Sequence, residues 1–259
     1  MATTKKVIQV DGGNSTPTQP SRTFVPTPEA KGRATRLRLI AGLLWFVAIC
    51  AQIGAIFLLL KQVPNMMIWM IVLIVVDLAS VIIGSLLWKK SNRLDPASEK
   101  DKFKFFLQNQ LGLFAAIVAF LPLIIFIFTS KNLDGKQKGI LGGIAVLALA
   151  IAGITSYDFN PPSVEQYTEQ TNRVEWLNDG QDHVFWTKSG TKYHLYEDCP
   201  HINSKRTDEI YSGTVAQARE LKNITELCKT CENRAIKERG LKEADYSAGV
   251  SQTTSEANE

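Results

Sequence analysis

The 259-residue sequence predicts an α-helical membrane protein, in which a four-transmembrane-helix bundle carries a small α+β zinc-binding domain. Three observations lead there. Four apolar runs approach or reach the ~20 residues needed to cross a bilayer. Charge is divided sharply: residues 1–156 hold 17 Lys/Arg and 7 Asp/Glu, a net of +10, whereas residues 157–259 hold 12 and 18, a net of −6. Finally, His194, Cys199, Cys228 and Cys231 stand in the order H-x4-C, then C-x2-C, with 28 residues between the pairs.

In chain order, residues 1–36 read as a disordered basic tail rich in Thr, Pro, Gly and Lys. Residues 37–157 form the transmembrane domain, with spans at about 39–60, 66–88, 105–129 and 139–157. The first run exceeds the apolar core of a signal peptide and lacks a small-residue cleavage pattern, so an uncleaved anchor is expected. Lys31, Arg33, Arg36 and Arg38 precede span one, and Lys89, Lys90, Arg93, Lys100, Lys102 and Lys104 lie around the connection between spans two and three. Cytoplasmic loops collect Lys and Arg. Both termini are therefore expected in the cytoplasm, in a bacterial inner or plasma membrane, although Lys131, Lys136 and Lys138 pull the other way.

Within the spans, Asp77 and Gln52 fall at similar depth by residue counting. Intramembrane polar groups mark either an ion, proton or substrate path or an interhelical hydrogen bond. The simpler expectation is a protonated Asp77 bonded to Gln52. Gln108, Asn109 and Gln110 are expected to be solvated near the headgroups. Pro122 is expected to kink span three, and Gly139, Gly143, Ala148 and Ala152 give span four small-residue packing faces.

Residues 158–183 read as a linker able to form a short helix from the capping pair Ser163 and Gln166. Val184–Tyr196 alternates β-branched and aromatic residues around Ser189-Gly190, the pattern of a hairpin whose second strand carries His194. Cys199 follows in a Pro-containing knuckle. A helix over about 214–222 precedes Cys228 and Cys231, which open a last helix ending near Gly240, where a helix N-terminus favours thiolates. Three cysteines are an awkward number for disulfides, whereas zinc uses all three with one histidine. His194 is the expected fourth ligand and His201 the alternative. Cys50 lies in an apolar run and reads as a small core or lipid-facing residue. The module spans 184–241, and 242–259 reads as a disordered tail.

The layout K-S-G-x-x-Y-H-x4-C, a helix, then C-K-x-C resembles the small zinc domains appended to some bacterial nucleases and membrane proteins. More distantly it is similar to the zinc domain of the Ada-type DNA methylphosphotriester repair family. The likeness covers Val184 to Glu232 and none of the membrane part. It implies a zinc fold with Cys199, Cys228 and Cys231 in matching positions. His194 holds the place of the methyl-accepting cysteine and the spacing to the next cysteine differs by one residue, so the methyl transfer is not implied.

A closed four-ligand site leaves no position for substrate water, and no nucleophile–base set or glycine-rich phosphate loop is evident. The expectation is therefore not an enzyme but an anchor that displays a structural-zinc module to a protein partner or a second copy. The lipid bilayer is the other expected partner, and no small-molecule substrate is evident. The runner-up is a small transporter or channel using Asp77. Tethering of nucleic acid is weaker still, because residues 184–241 hold 10 Lys/Arg against 8 Asp/Glu and offer little charge for phosphates.

Overall fold

The computed structural model describes residues 6–10, 23–61, 63–222 and 224–247, which divide into two units. One comprises 27–162. It holds four helices long and apolar enough to cross a membrane: α1 (Pro28–Lys61), α2 (Met66–Leu94), α3 (Lys102–Thr129) and α4 (Gly135–Ser156). Their composition suggests membrane insertion. Each overlaps its expected span and extends past it into the polar flanks.

Local sequence sets the helix ends. Thr27 accepts the Ala30 N–H at 3.1 Å and Pro28 follows at the first helical position, where proline's fixed φ and missing N–H cost nothing. Asp134 and Gln137 cap α4 reciprocally, at 2.7 and 3.2 Å. Helix α3 runs unbroken through Pro122.

Inside the bundle, close approach depends on small residues. Ala41, Ala48, Ala55, Ala116, Ala119, Ala145, Ala148 and Ala152 are buried, while Leu39, Leu43, Phe46, Phe57 and Leu60 face outward. Burial of one apolar surface against another brings little gain in lipid, so packing and hydrogen bonds dominate. A Cβ on Gly84 would sit 2.7 Å from Trp45 Nε1 and 3.2 Å from the Ala41 carbonyl. On α4 the packed glycine is Gly142, against the Phe128 ring, rather than the expected Gly139 and Gly143, which lie open.

A further expectation fails here. Asn109 and Gln110 are buried, not solvated. Gln110 bonds the Asp158 backbone twice, at 3.0 and 3.1 Å, and Asn92 reaches Asn109 at 3.2 Å. The amides satisfy chain-end groups that lipid cannot. Arg38 pairs with Asp95 at 2.6 Å, and Lys89 Nζ donates to the Thr155 and Tyr157 carbonyls that end α4, at 2.8 and 2.7 Å.

The second unit joins 1–26 to 163–259. It contains β1 (Lys6–Gln9), α5 (Val164–Leu177), β2 (Val184–Thr187), β3 (Lys192–Tyr193), β4 (Glu209–Gly213), α6 (Val215–Lys222), β5 (Glu226–Leu227) and α7 (Lys229–Arg239). One sheet has the order β1-β4-β2, with β1 parallel and β2 antiparallel to β4; β3 and β5 pair separately in parallel. Val174, Leu177, Trp186, Tyr193, Ile210 and Ile224 centre its core.

This corrects three boundaries. The tail expected to be disordered over 1–36 supplies strand β1 and the first residues of α1; the rest of it lies outside the described residues, apart from 23–27. Helix α5 is no linker, because Tyr167, Val174 and Leu177 recur at helical spacing and are buried in the module core. At the other end, the tilted Tyr246 ring packs against Trp176 with centroids 5.1 Å apart, so residues 242–247 belong to the module; 248–259 lie outside the described residues.

Arg219 is buried over both the Tyr167 and Phe24 rings, at 4.3 and 4.8 Å, and donates to the Tyr167 carbonyl and Gln170 Oε1 at 3.3 and 3.1 Å. The ring faces replace the carboxylate partner a buried cation normally has. Phe24 belongs to the N-terminal segment, which thus contributes to the module twice.

Gly84→Leu should destabilise the bundle by ~1–3 kcal/mol through overpacking against Trp45, lowering the melting temperature in detergent. Gly143→Leu, which meets open space, should leave it unchanged.

Candidate metal centre

The hairpin places the first ligand. Phe185 and His194 exchange both backbone hydrogen bonds at 2.7 Å, and the turn closes with Gly190 N–H to the Thr187 carbonyl at 3.2 Å. A Cβ on Gly190 would lie 2.7 Å from Thr187 Oγ1, hence glycine in that turn. Past β3 the chain turns at once: Cys199 N–H donates to the Tyr196 carbonyl, and the N–H groups of Ile202 and Asn203 return to Cys199 at 3.0 and 2.7 Å. This knuckle points the Cys199 sulfur back toward His194.

The parallel pairing of β3 with β5 delivers the other two ligands. Tyr193 stands opposite Leu227, and the next N–H, of Cys228, donates to the Tyr193 carbonyl at 2.9 Å. Cys228 is the N-cap of α7 and Cys231 lies in its first turn. Arg234 then ties α7 to the knuckle, pairing with Asp198 at 2.7 Å and lying over the Tyr196 ring at 4.1 Å. Arg173 of α5 holds the same helix through Glu232 at 2.8 Å.

The outcome is four buried residues, His194, Cys199, Cys228 and Cys231, whose ligand atoms all lie within 4.8 Å of one another, a group able to hold a metal ion. His194 Nδ1 lies 3.2 Å from Cys199 Sγ and 3.7 Å from Cys231 Sγ. A tetrahedral ion with metal–sulfur bonds of ~2.3 Å and metal–nitrogen bonds of ~2.05 Å requires nitrogen–sulfur edges of about 3.6 Å. The spacing fits. The alternative ligand His201 stands outside this group: it is exposed, its Nε2 is 3.0 Å from Thr230 Oγ1, and its ring centroid lies 6.4 Å from that of His194.

Electrostatics favour a cation at the centre. Burial, with a smaller contribution from His201, lowers the His194 pKa to about 4, so its imidazole is neutral and available for coordination at pH 7. Burial pushes the Cys231 thiol up to about 12 and raises Cys199 as well. Cys228 is also penalised by burial, yet its pKa falls, because backbone N–H groups of Cys231 and Thr230 bond its sulfur. Cys199 receives the His201 N–H and Cys231 those of Leu195 and Tyr196. All three sulfurs thus have donors arranged for thiolates, while burial withholds the charge that only a cation can restore.

The intramembrane candidates are not brought together. Gln52 Nε2 donates to the Val118 carbonyl of α3 at 3.2 Å, and both oxygens of the buried Asp77 carboxyl lack a partner among the described residues. Cys50 is exposed on α1. Sequence reasoning missed Arg234 and Arg173, whose roles depend on partners 36 and 59 residues away. It also missed β1, although the β-branched residues Val7, Ile8 and Val10 ahead of the turn residues Asp11-Gly12 carried the signal.

No protein-family model matches this chain, and no curated protein or solved structure matches it. The site is therefore read from its own geometry.

His194→Ala or Cys231→Ser in the full chain should lose the bound metal, read as metal per chain by mass spectrometry. His201→Ala should keep it.

Proposed function

We propose that the four helices anchor the protein in a membrane and hold a small module, folded around a structural zinc ion, that binds another protein. The observation that carries this reading is the closed donor set: four buried protein ligands within 4.8 Å fill a tetrahedral shell and leave no coordination position for substrate. Three thiolates and one imidazole in that geometry suit zinc. The resemblance of residues 184–232 to small bacterial zinc domains points the same way. With a metal that scaffolds rather than reacts, the role left to the module is display and recognition.

Topology supports a cytoplasmic module. Strand β1 precedes α1 and β4 follows α4, yet both belong to one sheet. Chain segments sharing a sheet lie on one face of a membrane, which demands an even number of crossings. The basic residues before α1 and between α2 and α3 favour the cytoplasm for that face, where a reducing milieu keeps the thiols available.

Chelating the metal from the full chain in detergent should abolish the near-ultraviolet circular dichroism of the module, with Trp186 and Tyr193 losing their fixed environment, while helical signal from the bundle persists. Structural zinc contributes ~10–16 kcal/mol of binding free energy in small domains, enough to unfold this one on removal. A module that stays folded after complete metal removal would contradict the proposal.

One observation favours a second reading, a proton or cation path through the bundle: the buried, unpartnered carboxyl of Asp77. On that reading, reconstituted vesicles show a proton or cation flux that Asp77→Asn abolishes. Equal flux in both, or none in the wild type, removes it.

A further inference from the structure

Strand β4 is the centre of its sheet, with β2 on one side and β1 on the other. The β1 side is held lightly. Of Lys6–Gln9 only Ile8 is half-buried, and beyond it Val10 packs against the rim of the module core. Parallel pairs are also somewhat weaker per residue than antiparallel ones. What holds β1 is main chain: the Val10 N–H donates to the Ser212 carbonyl at 3.0 Å, and Gln217 Nε2 donates to the Val10 carbonyl at 3.2 Å.

The receiving groups are positioned without β1. Strand β4 is fixed by its pairing with β2, and Gln217 is fixed by the start of α6, where its Oε1 accepts the Thr214 N–H at 2.8 Å and its own N–H donates to Thr214 Oγ1 at 3.2 Å. If β1 leaves, a preformed edge of N–H and C=O groups is exposed with an amide at its end. Such an edge templates another strand.

We propose that the β4 edge is a binding site for an extended segment of a protein partner, and that β1 is its built-in competitor. The proposal rests on the reading of the module as a protein-binding unit and specifies the partner's chemistry. Main-chain hydrogen bonds supply affinity, and alternate side chains supply selectivity. The segment carries β-branched apolar residues two apart, in place of Ile8 and Val10, and a cation in place of Lys6, which stands opposite Glu209. The tethered strand acts at high effective concentration. A free peptide therefore competes poorly, whereas a strand presented by a neighbouring protein in the same membrane competes on equal terms.

The test uses the full chain in detergent and a fluorescent peptide spanning residues Lys5 to Gly12. Three forms are compared: wild type, Val10→Pro, which removes the N–H given to Ser212, and a chain lacking residues 1–12. Both altered chains should bind the peptide at least about tenfold more tightly than wild type, the tethered competitor having been weakened or removed. The same peptide with proline at the Val10 position should not bind. Equal binding by all three forms, or no binding by altered chains that retain their metal, would overturn the proposal and leave the zinc reading standing. If the altered chains lose the metal, hydrogen exchange on the wild type decides. The Val10 amide should exchange faster than the Phe185 amide and faster again with excess peptide; equal protection overturns the proposal. Cross-linking of residues placed at Lys6 and Glu209 between two chains would instead assign the edge to a second copy and also overturn it.

Discussion

Burying three sulfurs and an imidazole within 4.8 Å of one another is the constraint around which the module is arranged. Cys199 and Cys228 close a loop of 28 intervening residues, and that loop contains β4 and α6. The central strand of the sheet and the helix that follows it are therefore tethered at both ends to the same point. The short parallel pair β3–β5 fixes where the two ligand-bearing segments meet, and Arg234 and Arg173 lock α7 against the knuckle and α5. Without a cation, burial opposes every charge the site needs. With one, the donors around the sulfurs and the neutral imidazole are already in place, and metal binding and folding become one event.

The bundle is held by different physics. Its helices touch through alanines and through Gly84, Gly112 and Gly142, where an added Cβ would strike a neighbour at 2.9 Å or closer. Its polar residues gather where helices end. Gln110 satisfies the backbone of Asp158, Lys89 caps the carbonyls at the end of α4, and Ser85 bonds Ser156 at 2.8 Å. The first two serve chain-end carbonyls that would otherwise be left unpaired in a poor hydrogen-bonding medium, and the serine pair joins α2 to α4. Two buried residues depart from this pattern: Gln52 bonds the Val118 carbonyl in mid-span, and the Asp77 carboxyl, without a partner among the described residues, closes no helix end.

How much of this the sequence disclosed follows the range of the interaction responsible. The spans, the hairpin bearing His194 and the helix bearing Cys228 and Cys231 were legible because apolar runs, alternation and ligand spacing are local signals. The choice between His194 and His201 depended on the parallel pairing of β3 with β5, which periodicity does not report. Residue depth alone suggested a bond between Gln52 and Asp77. Helix rotation sends Gln52 to α3 instead. Asn109 and Gln110 looked solvated because amides at a span boundary usually are, and only the folded chain shows the Asn92 side chain and the Asp158 backbone waiting for them. The β-branched cluster Val7, Ile8 and Val10 was visible, but five residues in a Thr- and Pro-rich tail carry no hint of a partner about 200 positions away.

That separation has a consequence for assembly. A parallel pair needs a crossover connection, and between β1 and β4 the crossover is the whole bundle together with most of the module. Loop-closure entropy grows only slowly with length, so the final pairing is not prohibitive. It must, however, wait for β4. Residues 6–10 emerge first in synthesis, but their place on the sheet exists only once the strand about 200 positions later has been made and paired with β2. Until then the β4 edge is open, and the residues that will cover it bury little apolar surface on arrival. Non-local pairings of this kind form slowly and leave edges exposed meanwhile. The Phe24 ring over Arg219 gives the N-terminal segment a second attachment, separate from the strand. β1 can therefore detach locally while Phe24 stays docked, so opening the β4 edge does not require the module to release the segment that leads into α1.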